Sequence, residues 1–327
     1  MQAVRAARNR AVVALMSACL FWGLSFCLTK ALSQSIELAS PGISSWFVAA
    51  YLVGSRFLVA AIVLVAVGRI RPNRSELFQG ALLGVVTGVG MLFQTDALTY
   101  TSASTGAFLT QGYVFMLPVV TTIVTRRLPS IRVVACALLV LVGLGILAKF
   151  DPFAVTMGRG ETETLLAAAC FTVQILALGA RRFSENRARE VTVVMFVTMC
   201  AVMAPITALT ARSAREYVTP LVVPWALVYL AAIVVFPTLG SFLLMNRFQR
   251  LVTPSDAGVI YATEPVFAGA FALFVPATLS RLSEIPYPNE VFTERTLVGG
   301  VLVLAANVLL ALAEKAPSEL PEGVVPE

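Results

Sequence analysis

Residues 101–106 read TSASTG and residues 253–258 read TPSDAG, which places the two segments at an offset of 152 residues. The same offset relates Phe115 to Phe267. These three identical positions alone could arise by chance. However, the two segments precede the fourth and the ninth of the ten apolar stretches, and these are equivalent positions if the stretches form two groups of five. The match therefore predicts two similar halves of five helices each.

The composition predicts that both halves lie in a membrane. Of the 327 residues, 58% are hydrophobic and 13% are charged, whereas a soluble domain carries about 25% charged residues. The mean hydropathy of +0.86 indicates more apolar surface than a water-soluble core can hide, so lipid has to cover it. The arginines are scattered between apolar runs rather than gathered on one face, so the lipid bilayer is an expected partner and nucleic acid is not.

Apolar runs separated by charged and proline-containing segments predict ten transmembrane helices, because one span needs about 20 apolar residues. The expected limits are 11–32, 44–68, 76–98, 104–125, 131–149, 162–181, 191–211, 222–246, 256–279 and 295–313. The expected fold is an all-α integral membrane protein with a first five-helix repeat at 1–150, a second at 151–315 and a cytoplasmic tail at 316–327.

The distribution of Lys and Arg predicts the orientation. Sixteen lie on the side of the two termini and six on the other, and positive loops stay in the cytoplasm. We expect a multi-pass protein of the bacterial inner membrane with both termini cytoplasmic. Because five is odd, the second repeat would enter the membrane upside down, the inverted arrangement of many secondary transporters. The TSASTG loop has no Lys or Arg, whereas Arg247 and Arg250 flank the TPSDAG loop, as this arrangement requires.

Several motifs resemble the drug/metabolite transporter superfamily, in its ten-helix EamA-like branch. They are FWG at 21–23 followed by Lys30, SRF at 55–57, QT at 94–95 continuing through TSA at 101–103 and AFLT at 107–110 to Pro118, and TEPVFA at 263–268. The chain departs from the family at 126–127 (RR) and 280–281 (SR), where a Gly-Glu pair is common. The resemblance implies a secondary active transporter of a small organic metabolite or drug, most often an exporter, and leaves the substrate open.

Three of the charged residues inside the predicted helices are site candidates, because a charge at the bilayer centre is costly and needs a reason. Glu264 is a candidate for proton coupling or cation binding; alternatively, it pairs with an arginine or caps the backbone freed by Pro265. Arg56 could attract an anionic substrate, or it is a structural partner of Glu264 or Asp96. Asp96 lies near the outer end of the third helix, where it could simply reach interfacial water.

Uncharged polar and aromatic residues form the second group of site candidates. The resemblance implies that the first, third, fourth, sixth, eighth and ninth helices surround one cavity, with Trp22 and Tyr261 as aromatic walls. The polar candidates are Gln94, Thr95, Thr110, Gln111, Tyr113, Gln174, Thr238 and Ser241. Each one taken singly is equally consistent with a hydrogen bond between helices.

Other functions are less favoured. The chain has no histidine and no metal-binding cysteine spacing, so we expect no metal, no cofactor and no catalytic residues, and the protein is not expected to be an enzyme. A non-transporting membrane receptor or scaffold remains the alternative to a transporter of a small-molecule substrate. Glycines in the fifth and tenth helices allow close helix approach within the monomer or in a homodimer.

Overall fold

The computed structural model describes residues 2–100, 106, 109–126, 128–147, 158–291 and 293–312. Regular structure in these ranges is helical. Residues 101–105, 107 and 108, which carry most of the first repeat motif and part of the family resemblance, lie outside the described residues, as does the predicted tail at 316–327.

Thirteen helices follow one another in the described ranges. They are α1 Gln2–Ala39, α2 Ser45–Val67, α3 Arg74–Ala97, α4 Tyr113–Thr125, α5 Ile131–Leu147, α6 Arg159–Leu178, α7 Ala188–Thr210, α8 Ala214–Val222, α9 Ala226–Leu251, α10 Pro254–Tyr261, α11 Glu264–Ala272, α12 Val275–Ser283 and α13 Glu294–Leu312.

Six of these helices are long and apolar enough to cross a membrane by themselves: α1, α2, α3, α6, α7 and α9. Helices α10 to α12 are long and apolar enough only when taken together, with a bend of 58° before Val275. Shorter apolar helices occur in α4, α5 and α13. These segments coincide with the ten apolar runs of the sequence, and the prediction of an all-α membrane protein is confirmed.

Two features differ from the expected helix limits. A short helix, α8, lies in the connection before α9. The predicted helix limits leave this connection as a loop, because Arg215 and Glu216 interrupt the apolar pattern. In α9, Val234–Gly240 is a π-helical segment that contains Pro237. Proline has no N–H to donate to the preceding turn, so the helix widens there.

The interior of the bundle depends on close helix contacts and aromatic packing. Helix α3 packs on α6 and α7, α2 packs on α7, α1 packs on α9 and α11, and α5 packs on α13. The rings of Phe57 in α2, Phe196 in α7 and Phe242 in α9 contact one another with centroid distances from 5.0 to 5.8 Å. This aromatic cluster fixes the relative positions of α2, α7 and α9.

Candidate functional site

A cavity with several polar side chains in a mostly apolar wall lies inside the bundle among α1, α3, α4, α6, α9, α10 and α11. Its volume is about 80 Å³, and we call it the central chamber. Its walls combine aromatic and sulfur-containing side chains with amides, hydroxyls and one carboxylate. The lining residues are Trp22, Thr87, Met91, Gln94, Thr110, Tyr113, Phe171, Gln174, Ile175, Phe242, Met245, Tyr261 and Glu264.

A second cavity of about 50 Å³, the side chamber, adjoins the first. Its lining residues are Trp22, Ser25, Phe26, Thr29, Arg56, Met91, Gln94, Thr95, Leu98 and Glu264. Trp22, Met91, Gln94 and Glu264 belong to both linings. These four side chains therefore form the wall that the two chambers share.

Glu264 reaches this wall because the ninth span is broken directly before it. Helix α10 ends at Tyr261, and the Thr263 hydroxyl donates to the Ile260 carbonyl oxygen at 2.7 Å. Helix α11 then begins at Glu264, with Pro265 in its first turn. A carboxylate at a helix N-terminus is favoured by the unpaired backbone amides and the helix dipole. The Glu264 carboxylate forms no ion pair and no hydrogen bond with another described residue.

Arg56 lines the side chamber and is 6% exposed. Its Nη2 donates to the Met91 sulfur at 3.6 Å, and the guanidinium lies 4.8 Å from the Phe57 ring centroid. The Nε atom has no partner among the residues that the structure describes. The structural pairing with Glu264 or Asp96 that the sequence suggested is not formed. Arg56 is therefore a buried cation in the lining of the side chamber, and it forms no ion pair with another described residue.

Asp96 belongs to a different cluster at the end of α3. Its carboxylate accepts a hydrogen bond from Arg159 Nη2 at 2.6 Å, and its side chain is fully buried. Arg159 also pairs with Glu163 at 2.8 Å and donates to the Tyr100 hydroxyl at 2.7 Å. The expectation that Asp96 reaches interfacial water is wrong, because the Arg159 side chain covers it. Asp96 lines neither chamber.

Most of the other candidates come together at the chambers. Trp22, Gln94, Thr110, Tyr113, Gln174 and Tyr261 line the central chamber, and Thr95 lines the side chamber. The amide of Gln94 donates to the Thr110 hydroxyl at 3.4 Å. The Trp22 ring packs edge-to-face on the Tyr261 ring at 5.6 Å. These contacts bring the amides and aromatic rings together at the chamber walls.

Three of the uncharged candidates lie outside both chambers. Thr238 Oγ1 donates to the Ile233 carbonyl oxygen at 2.8 Å, which satisfies backbone within the π-helical segment. Ser241 Oγ donates to the Ala18 carbonyl oxygen at 3.0 Å and joins α9 to α1. Gln111 is buried and its side-chain oxygen has no partner among the described residues. For Thr238 and Ser241 the structure favours helix packing, the alternative left open by the sequence.

Several lining residues of the central chamber carry no signal in the sequence. Thr87, Met91, Phe171, Ile175, Phe242 and Met245 are of this kind. An apolar residue inside an apolar span carries no signal that distinguishes the chamber from lipid. Gln249 was also missed, although it accepts a hydrogen bond from the Tyr261 hydroxyl at 2.9 Å and donates to the Ile175 carbonyl oxygen at 2.8 Å. Gln249 thereby positions one wall of the chamber without lining it.

The other end of α3 carries a second ion pair. The fully buried Glu76 contacts Arg187 at 2.8 Å, directly before α7. The Glu76 carboxylate raises the pKa of Arg187 above its usual value, since it stabilises the charged guanidinium. Nearby, the Asn186 amide donates to the Gln79 side-chain oxygen at 2.8 Å. Helix α3 is thus held by charge at both ends, and the two chambers lie beside its C-terminal half.

A helical membrane bundle that encloses a chamber next to broken helices has the construction of a membrane transporter. The model of the EamA-like transporter family matches residues 9–149. An uncharacterized transporter of Archaeoglobus fulgidus is 27% identical over 236 residues, which are 71% of this chain and 68% of that protein. One solved crystal structure has the same fold, with a TM-score of 0.67 and 15% identity, covering 92% of this chain and 96% of that one.

These matches confirm the family resemblance found in the sequence. The protein is a membrane transporter, and the match to the EamA-like transporter family is limited to residues 9–149. Transporters of this family are in general not enzymes.

Proposed function

We propose that the protein is a secondary active transporter that exports a small organic metabolite or drug across the bacterial inner membrane, with both termini in the cytoplasm. The observation that carries the proposal is the position of Glu264. Its carboxylate lines both chambers and has no counter-ion among the described residues. A carboxylate that can gain and lose a proton at this point couples proton movement to the solute.

The packing of the helices supports two five-helix repeats, one ending with α5 and one beginning with α6. The contacts of α1 with α9 and α11 correspond to those of α6 with α3 and α4. The pairs α2–α7 and α5–α13 each join equivalent helices of the two repeats, so an exchange of the two halves leaves each pair unchanged. This pattern is what an exchange of the two halves about a pseudo-twofold axis produces, and rocking of such halves gives alternating access.

The breaks in the second half supply bending points for this movement. The π-helical segment at Pro237 and the interruptions before Glu264 and Val275 leave backbone groups outside the regular helical pattern. Helical kinks arise at sites of this kind. Glu264 lies directly at one of them, so a change in its charge acts where the helix can bend.

Arg56 has a separate role in the proposal. An uncompensated charge near the middle of a membrane costs at least about 2.5–3.5 kcal/mol on insertion scales. A carboxylate or phosphate of the solute, entering the side chamber, would neutralise the guanidinium and form charge-assisted hydrogen bonds with it. The hydroxyls of Ser25 and Thr29 in the same lining are additional donors.

The ion pairs at the ends of α3 are the proposed gates. Asp96–Arg159 connects α3 to the start of α6, and Glu76–Arg187 connects it to the start of α7. Opening one end of the bundle requires that one pair separates while the other holds. Alternation between the two pairs would keep the chambers from opening to both sides at once.

Proteoliposomes test this function directly. The purified protein is reconstituted, a pH gradient is imposed, and a panel of amino acids, organic acids and cationic drugs is assayed for movement. We expect at least one compound to be driven by the gradient, and Glu264→Gln to abolish this dependence. Glu294→Gln is the matched control, because Glu294 is exposed at the first residue of α13. Absence of flux for every compound favours the receptor or scaffold, and unchanged gradient-driven flux in Glu264→Gln excludes Glu264 from coupling.

A further inference from the structure

A polar groove on the arginine-rich face of the protein lies outside the transport chambers. It has a volume of about 580 Å³ and is formed by the start of α3 and the connection between α6 and α7. We propose that this groove binds the phosphate of an anionic phospholipid headgroup. The proposal rests on charge, on the position of the groove and on the helix start within it.

The charges of the groove favour an anion. Arg74, Arg181 and Arg182 line it, together with one carboxylate, Glu185. None of these three arginines forms an ion pair with another described residue. Arg187, which follows closely in sequence, is already engaged with Glu76. The groove therefore offers three cationic side chains against one anionic side chain.

The position of the groove indicates a lipid rather than a free anion. Phe78, one turn into α3, is 56% exposed, and its neighbour Leu77 is also exposed. Both face outward from a helix that is apolar enough to cross the membrane. The Arg182 guanidinium lies 5.3 Å from the Phe78 ring centroid and 4.4 Å from that of Phe183. The cationic groove is therefore continuous with the lipid-facing surface, at the depth where headgroups lie.

The start of α3 adds backbone donors to the groove. The capping box formed by Asn73 and Glu76 uses the amides of these two residues, at 2.8 and 2.9 Å. The amides of Arg74 and Ser75 at the first helical positions have no partner within the helix, as at any helix start. A phosphate in the groove would meet these amides and the arginines together, and basic pockets between membrane helices bind phospholipid headgroups in this way.

A bound headgroup would brace one end of the bundle. The two sides of the groove are already joined by the bond from Asn186 to Gln79 at 2.8 Å and by the Glu76–Arg187 pair. A phosphate contacted by Arg74 from α3 and Arg182 from the α6–α7 connection would add a third link. The lipid would thus stabilise the conformation in which this end is closed.

Lipid binding to the purified full chain in detergent tests the proposal. Native mass spectrometry measures the affinity for phosphatidylglycerol and for phosphatidylcholine with the same acyl chains. The variant Arg74→Gln/Arg182→Gln removes two exposed cations from the groove, so folding is expected to be unaffected. The charge-matched control is Arg69→Gln/Arg126→Gln, which removes two exposed arginines that do not line it.

We expect wild type to prefer phosphatidylglycerol and the groove variant to lose about tenfold or more of this affinity, since it removes two basic residues that would contact the headgroup. The control is expected to lose much less, because Arg69 and Arg126 do not line the groove. Thermal midpoints measured on the same samples separate loss of binding from loss of folding. Equal losses in the two double variants would overturn the proposal, because they would show attraction to net charge only. Full competition by inorganic phosphate would also overturn it, since the groove would then be a site for a free anion.

Discussion

The carboxylate of Asp96 lies 2.6 Å from the guanidinium of Arg159, although the two residues are 63 positions apart. Asp96 is fully buried, whereas the Arg159 side chain is 43% exposed. The pair therefore joins the end of α3 to the start of α6 through one side chain that cannot reach water and one that can. This asymmetry determines what each substitution does.

Arg159→Gln is expected to destabilise the protein by about 1–3 kcal/mol, because it leaves the Asp96 carboxylate buried without a counter-ion. Asp96→Asn is expected to cost less, since Arg159 is partly exposed to solvent and keeps its ion pair with Glu163. The double variant should recover part of the loss. Thermal unfolding in detergent measures all three, with the exposed Arg295→Gln as control. Strictly additive losses would show that the two side chains do not interact.

Arg56→Met is expected to inactivate the transporter without destabilising it. Methionine removes a buried charge that has no carboxylate partner among the described residues, so the thermal midpoint should stay the same or rise. Flux of compounds that carry an acidic group should fall about tenfold or more, because a charge-assisted hydrogen bond is lost.

Lys30→Met is the control for Arg56→Met, because Lys30 is also a cation of an apolar helix but lines neither chamber. Its transport rate should stay near that of wild type. If Arg56→Met lowers the thermal midpoint by several degrees, Arg56 is a structural residue and its role in substrate binding is wrong.

The membrane spans could be predicted because the thickness of the bilayer fixes their length. The second helix, expected at 44–68, is observed at Ser45–Val67, where charged and proline-containing segments mark both ends. Helix α8 was missed because it is short and polar on one side, so its residues resemble a loop. The break before Glu264 was indicated by Pro265, but Pro118 lies within a continuous helix. Proline alone therefore does not decide where a span bends.

The candidate site could be predicted only in part, because the sequence shows which residues are polar but not how each helix is rotated. Gln94 and Gln174 line the central chamber, while Thr238 and Ser241 bond to backbone carbonyl groups. All four stand out equally in an apolar sequence. The partner of Asp96 could not be derived either, since Arg159 was placed in a loop and not beside the end of α3.

Tyr261→Phe is expected to cost about 1–3 kcal/mol, because the Gln249 side-chain oxygen loses its donor at a site that is 1% exposed. The wall of the central chamber should also loosen, which would raise the KM for transport more than it lowers the maximal rate. Tyr217→Phe is the control, because Tyr217 lies at the partly exposed outer surface. Equal thermal midpoints for the two variants would contradict a positioning role for Gln249.

Gly23→Ala is expected to separate α1 from α11 and to reduce both stability and transport. A Cβ at Gly23 would lie 2.8 Å from the Ala268 backbone nitrogen and 2.9 Å from the Phe267 Cβ, contacts that neither helix can relieve by a rotamer change. Overpacking of this kind costs about 1–3 kcal/mol.

Gly269→Ala provides a matched control in α11, since a Cβ there meets nothing within 4 Å, and alanine is the better helix former. We therefore expect Gly269→Ala to match or exceed wild type in thermal midpoint, measured in the same detergent, while Gly23→Ala falls below both. Because Glu264 begins α11, the displaced helix should also shift the pH dependence of flux in Gly23→Ala and leave it unchanged in Gly269→Ala. The same response in both variants would show that α1 and α11 are not in close contact.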